Sequence, residues 1–99
     1  MKTPLKLLVV VAEEAVAAKI VEDIKRLGAT GYTMTDAHGE GSRGKRVGRV
    51  GETNARIETV VGPETADRIL ARLAEQYFPR YAVIAWTSDV QVVRGDKYV

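Results

Sequence analysis

Cysteine is absent from the 99 residues. That excludes a disulfide framework, a thiolate nucleophile and a Cys-based metal site. Histidine is almost absent, with His38 alone. A single imidazole builds no metal site, and no Ser–His–Asp set can be assembled around it. No carboxylate pair is arranged for hydrolysis either. Long hydrophobic runs are missing: the longest, Leu7 to Ala12, falls far short of the roughly 20 residues of a membrane span. Lys2 and Lys6 precede no small-residue cleavage site, so no secretory signal is expected. Charge of one sign is lacking as well. Fifteen Lys and Arg face 13 Asp and Glu, and the net charge of +2 is too small for a nucleic-acid surface. These absences lead to the expectation of a cytoplasmic protein that is not membrane-embedded, binds no nucleic acid, needs no metal and carries no catalytic residues.

What is present suits one globular domain spanning 1–99. The length fits a single domain, and 45% apolar with 28% charged residues is ordinary for one. A core this small gains from oligomerisation. Leu5 to Val11 is a β-branched and aliphatic run, read as a buried strand. The period then changes. Val16, Ile20, Ile24 and Leu27 form a helical stripe within Glu13 to Leu27, with acidic residues in the first turn, Lys25 and Arg26 in the last, and Gly28 as cap. Tyr32 to Ala37 is read as the second strand. Asn54 to Val61 alternates apolar and polar residues, as a strand with one wet face does. Pro63 opens a second helix at a first turn that tolerates it; Ala66, Ile69, Leu70, Leu73 and Tyr77 form its stripe, and Pro79 stops it. Tyr81 to Val93 reads as the last strand or two. The order β-α-β-β-α-β predicts an α+β, ferredoxin-like fold, an antiparallel sheet with two helices on one face. Strands this apolar imply that the other face is covered by further subunits.

His38 to Thr53 does not belong to that scaffold. A hairpin loop there needs two to five residues, and this segment holds five of the nine glycines. It also carries Arg43, Lys45, Arg46 and Arg49 against Glu40 and Glu52. Glycines free backbone N–H groups to cradle an anion, arginines add bidentate charge-assisted bonds, and Ser42 adds a hydroxyl. The segment reads either as an anion-binding loop or as a solvated hairpin tip. Gly39-x-Gly41-x-x-Gly44 matches a dinucleotide fingerprint, and Gly39-x4-Gly44-Lys45 matches the start of a Walker A loop. Both motifs require a helix directly afterwards, which Arg46-Val47-Gly48-Arg49-Val50-Gly51 does not make, and Arg46 stands where Walker A needs Ser or Thr.

Gly28-Ala29-Thr30-Gly31-Tyr32-Thr33, then Gly39-Glu40-Gly41-Ser42-Arg43, then Asn54-Ala55-Arg56-Ile57-Glu58 together resemble PII-like signalling proteins, in particular the branch associated with bicarbonate transporters and carboxysomes. The resemblance covers nearly the whole chain, including Tyr77-Phe78. It implies a homotrimer with nucleotides in the clefts between subunits, and a T-loop at about 38–53 that touches partner proteins. It implies an adenine nucleotide (ADP, AMP, ATP or cyclic AMP) as effector, bicarbonate as a candidate second ligand, and a bicarbonate transporter or carboxysome-related protein as target. By position, Gly41, Ser42, Arg43 and Arg46 would meet the phosphates. Ala82, Val83 and Ile84 would be the loop before the last strand whose backbone lines the nucleotide. Arg94 and Lys97 would be cationic phosphate ligands, and Arg56 would face the cleft. The loop has no Tyr, so uridylylation is not expected. The Gly-Lys-Ile stretch of classical members is replaced by Tyr81-Ala82-Val83-Ile84, which argues against 2-oxoglutarate and classical ATP–magnesium binding. The cysteine-bearing tail of some relatives is lacking, and redox control through it is not expected.

The remaining single residues have plainer readings beside functional ones. His38 is read as a surface or hinge residue rather than a ligand contact. Trp86 is read as core or interface packing rather than a base-stacking platform, and Tyr32 as core. Glu13, Glu14, Glu22 and Asp23 are read as solvated helix charges. The alternatives to a nucleotide sensor are a regulatory domain for another small metabolite and an RNA-binding module of the same strand order. The latter needs aromatics on its middle strands, and Asn54 to Val61 has none.

Overall fold

The computed structural model of the chain describes residues 2–39 and 53–94. Its elements are β1 (Thr3–Glu13), α1 (Glu14–Arg26), β2 (Thr33–Ala37), β3 (Asn54–Val61), α2 (Pro63–Gln76) and β4 (Val83–Val92). The strands lie in the order β2-β3-β1-β4, and each neighbouring pair is antiparallel. This is the expected ferredoxin-like arrangement. The Tyr81 to Val93 stretch forms one strand.

Period-two alternation gives the sheet two distinct faces. Leu8, Val10 and Ala12 of β1 and Ala55, Ile57 and Val61 of β3 point toward the helices and join their stripes in one core. From α1 come Val16, Ala17, Ile20 and Ile24; from α2 come Ala66, Ile69, Leu73 and Tyr77. The α1–β2 connection is anchored by buried Thr59, whose hydroxyl donates to the Gly31 carbonyl at 2.6 Å.

The first helix ends in a double backbone cap. Ala29 N–H reaches the Ile24 carbonyl at 2.9 Å and Gly28 N–H reaches that of Lys25 at 3.2 Å. These are the two bonds of a Schellman motif, and Gly28 supports it with φ +123°. Pro63 starts α2 in the first turn, after extended Gly62.

Two assigned exposures are corrected. Asp23 is buried, not a solvated helix charge. It lies on the edge of α1 that faces α2, and α2 supplies its partners: Tyr77 Oη donates to Oδ2 at 2.6 Å and Arg72 Nε at 3.3 Å. Tyr32, read as core, is 44% exposed because β2 begins one residue later, at Thr33, on an edge of the sheet.

The helix-free face is apolar along its centre. Val9 pairs with Glu58 on one side and Trp86 on the other, and it is 1% exposed although neither α1 nor α2 lies on that face. Arg56 crosses this face, bonding Glu58 Oε2 through Nε at 2.9 Å. Its guanidinium carbon sits 5.5 Å from the Trp86 ring centroid, a cation–π distance.

Candidate functional site

One end of the sheet gathers the chain segments that the sequence marks out. Register sets Ala37, the last residue of β2, against Asn54, the first of β3, and Asn54 against Glu13. On the other flank Ala12 pairs with Val83, the first residue of β4. The roots of the 38–53 segment, the start of α1 and the start of β4 therefore meet at the C-terminal end of β1.

The junction is tied by two adjacent acids. Glu13 N–H donates to the Ala82 carbonyl at 3.2 Å, and Glu13 Oε2 accepts the Ala82 N–H at 2.6 Å. Glu14 Oε2 accepts the Thr53 hydroxyl, and Glu14 N–H donates to the Thr53 carbonyl at 3.4 Å. Glu13 belongs to β1 and its carboxylate is engaged, so it is not the solvated helix charge expected.

The expected site residues divide by position. Gly41, Ser42, Arg43, Arg46 and Lys97 lie outside the described residues. Arg56 is on the face away from α1 and α2, two residue pairs in from the loop roots. Ala82 precedes β4, half-buried, beneath the Glu13 carboxylate. Val83 and Ile84 belong to β4 rather than to a loop before it, because β1 runs far enough to pair Val83 with Ala12 and Ile84 with Val11. Val83 then packs against the core, and Ile84 stands 59% exposed on the helix-free face. Arg94 follows the other end of β4, where Val92 pairs with Thr3. A ten-residue strand spans about 33 Å, so one chain does not bring Arg94 beside Ala82. His38 follows β2 directly and is exposed.

Among the described residues no group of three His, Asp or Glu side chains is placed to hold a metal ion. None of the described helices is long and apolar enough to cross a membrane. What the junction offers is backbone donors at strand ends, an arginine at the sheet face and acids that already occupy some of the donors. This is chemistry for recognising a polar ligand.

Glu13 escaped the sequence reading. Its one local sign was an acidic pair at the point where the β period gives way to the helical one.

A model of the nitrogen regulatory protein P-II family matches residues 5–97. A protein from Thermus thermophilus described as PII-like and signalling is 56% identical, with a TM-score of 0.87, over 99% of this chain and 98% of its own. CPII from Thiomonas intermedia, in a structure bound to ADP and bicarbonate, is 26% identical with a TM-score of 0.89, over 100% of this chain and 98% of its own. A second CPII structure, bound to ADP, AMP and acetate, is 23% identical with a TM-score of 0.82, over 99% of this chain and 97% of its own.

Proposed function

The chain belongs to the nitrogen regulatory protein P-II family, and from that membership we propose that it is a non-enzymatic cytoplasmic signal sensor for an adenine nucleotide, with bicarbonate as a second ligand. It works as a homotrimer with the nucleotide in the clefts between subunits. Its long loop, 38–53, docks on a protein that handles inorganic carbon, a bicarbonate transporter or a carboxysome-related component.

One observation carries the reading: a protein of this shape, matched over the whole chain, holds ADP and bicarbonate together. The geometry supports it in two ways. The loop roots, Arg56 and Ala82 lie at one end of the sheet. Arg94 lies at the other, so an inter-subunit cleft is the arrangement that would let both ends serve one ligand. Gly41, Ser42, Arg43 and Arg46 supply phosphate donors, joined by Arg94 and Lys97 of a neighbouring copy. The arginines repel one another until phosphate neutralises them, and that difference in interaction is what shifts the loop's population.

Thermal unfolding across ATP, ADP, AMP, cyclic AMP, GTP and 2-oxoglutarate, each with and without bicarbonate, tests the proposal. Ligand at 100 times its dissociation constant adds about 2.7 kcal/mol, a readable shift. The expected result is an adenine-selective shift that bicarbonate enlarges. Arg46→Ala is expected to weaken nucleotide binding by about 1.5–3 kcal/mol, the worth of a charge-assisted bond, by calorimetry. No shift with any nucleotide would overturn the reading.

A further inference from the structure

The two acids at the end of β1 each hold a different segment. Glu14 holds Thr53, while Glu13 takes the backbone N–H of Ala82, at the threshold of β4. Glu13 stands at the N-cap position of α1, yet its side chain reaches across to Ala82 instead of capping that helix. A backbone N–H presented at a strand end is the kind of donor an oxyanion uses. The group now bonded to it is itself a planar oxyanion, with the charge and trigonal shape of bicarbonate or acetate.

We propose that Glu13 is a built-in competitor at an oxyanion subsite: its carboxylate occupies the Ala82 N–H, and a small oxyanion must displace it to bind there. The proposal rests on the reading of the chain as a nucleotide and bicarbonate sensor and adds a regulatory element to that site. The ligand chemistry is an oxyanion, either free bicarbonate or the terminal phosphate of the nucleotide.

The contact is arranged to be exchangeable. Glu13 is half-buried rather than enclosed, so water receives the carboxylate when it leaves. It remains beside the N-terminus of α1, where the helix dipole favours negative charge in either position. Two anions do not share one N–H, since like charges in contact disfavour each other. Binding is therefore exclusive, and the apparent affinity of the oxyanion falls by the fraction of chains in which Glu13 holds the site. Glu13 thus sets the oxyanion concentration at which the protein responds. The same dipeptide carries Glu14 and its grip on Thr53, so occupancy at Ala82 is one peptide unit from the root of the long loop.

Isothermal titration of the full chain tests this. Bicarbonate is titrated into ADP-loaded wild type, Glu13→Gln, Glu13→Ala and Glu22→Gln at fixed pH. A second arm compares adenosine, AMP and ADP without bicarbonate. Glu13→Gln keeps an oxygen that accepts the Ala82 N–H and guards against a folding defect, which a melting curve checks. Glu13→Ala is expected to bind the oxyanion about tenfold more tightly, as expected for release of a charge-assisted hydrogen bond, Glu13→Gln more tightly than wild type but by less because a neutral oxygen still competes, and Glu22→Gln, an exposed α1 charge outside the junction, is expected to match wild type. A gain confined to bicarbonate identifies the free anion as occupant. A gain that grows from adenosine to ADP identifies the phosphate. Unchanged or weaker oxyanion binding in both Glu13 variants, with ADP still bound by wild type, overturns this proposal and leaves the nucleotide reading standing. Failure of wild type to bind ADP or bicarbonate overturns the nucleotide reading and this proposal with it.

Discussion

Asp23 shows how a charge is kept inside this fold. One oxygen accepts Tyr77 Oη and Arg72 Nε from α2. The other accepts Arg26 from the next turn of α1 at 3.3 Å. A carboxylate this buried persists only when paired and hydrogen-bonded, and breaking the set leaves a partner short. Burial, and then the bond to Asp23, pushes the Tyr77 phenol from its ordinary 10.0 up to about 12. Between those values the unfolded chain has lost this proton while the folded chain keeps it, so the contribution is complete below pH 10 and is lost as pH rises toward 12. In an absorbance titration a tyrosine step above the ordinary phenol range is expected, and it is expected to disappear in Tyr77→Phe. That variant is expected to unfold about 1.5–3 kcal/mol more easily in urea, the cost of one bond to a charged acceptor. A Tyr77 step near the ordinary phenol range would contradict the arrangement.

At the scale of the elements, local pattern and distant partner explain different things. The alternation along β3 came through intact: Ala55, Ile57, Thr59 and Val61 are buried, and the residues between them are half-exposed. The stripe of α1, the proline at the start of α2 and the succession β-α-β-β-α-β along the chain were legible for the same reason, since periodicity and caps act within a few residues. Glu13 and Asp23 were not legible. Their partners Ala82 and Tyr77 are 69 and 54 residues away, and no local period encodes such a meeting. The extent of β4 was hidden likewise, because Val83 and Ile84 are strand only where β1 pairs with them. Part of the candidate site was visible as composition, in the glycine- and arginine-rich segment, while the acids that tie its roots were not. Gly28 is the strongest local device. Its φ of +123° is the conformation its cap requires, and a methyl group there would meet Thr65 at an ordinary 3.5 Å. Backbone strain, not crowding, is therefore the cost of Gly28→Ala, expected at about 1–2 kcal/mol in denaturant unfolding. A neutral result would mean that α1 ends without needing this turn.

For the whole molecule the question is what lies on the sheet face that α1 and α2 leave open. The two helices among the described residues bury one side. The other carries Val9 and Val11 at its centre, with Ile84 at 59% and Trp86 at 41% exposure on the edge strand. An antiparallel sheet left to solvent reads polar on its wet face, and a contiguous apolar face marks an association surface. The Arg56 guanidinium roofs Trp86 without removing Ile84 from water. If this face is the trimer contact of the proposed sensor, a charge at Ile84 tests it without disturbing the single chain. A surface substitution away from the core changes folding by about 0.5 kcal/mol or less, whereas an unpaired carboxylate buried between subunits costs several. Light scattering is expected to find three chains per particle for wild type and fewer for Ile84→Glu, with an unchanged far-ultraviolet circular dichroism spectrum. Nucleotide affinity is expected to fall along with assembly, because a cleft between subunits does not survive dissociation. An Ile84→Glu protein that stays trimeric would place the interface elsewhere. One that dissociates yet binds ADP as tightly as wild type would place the nucleotide within a single chain.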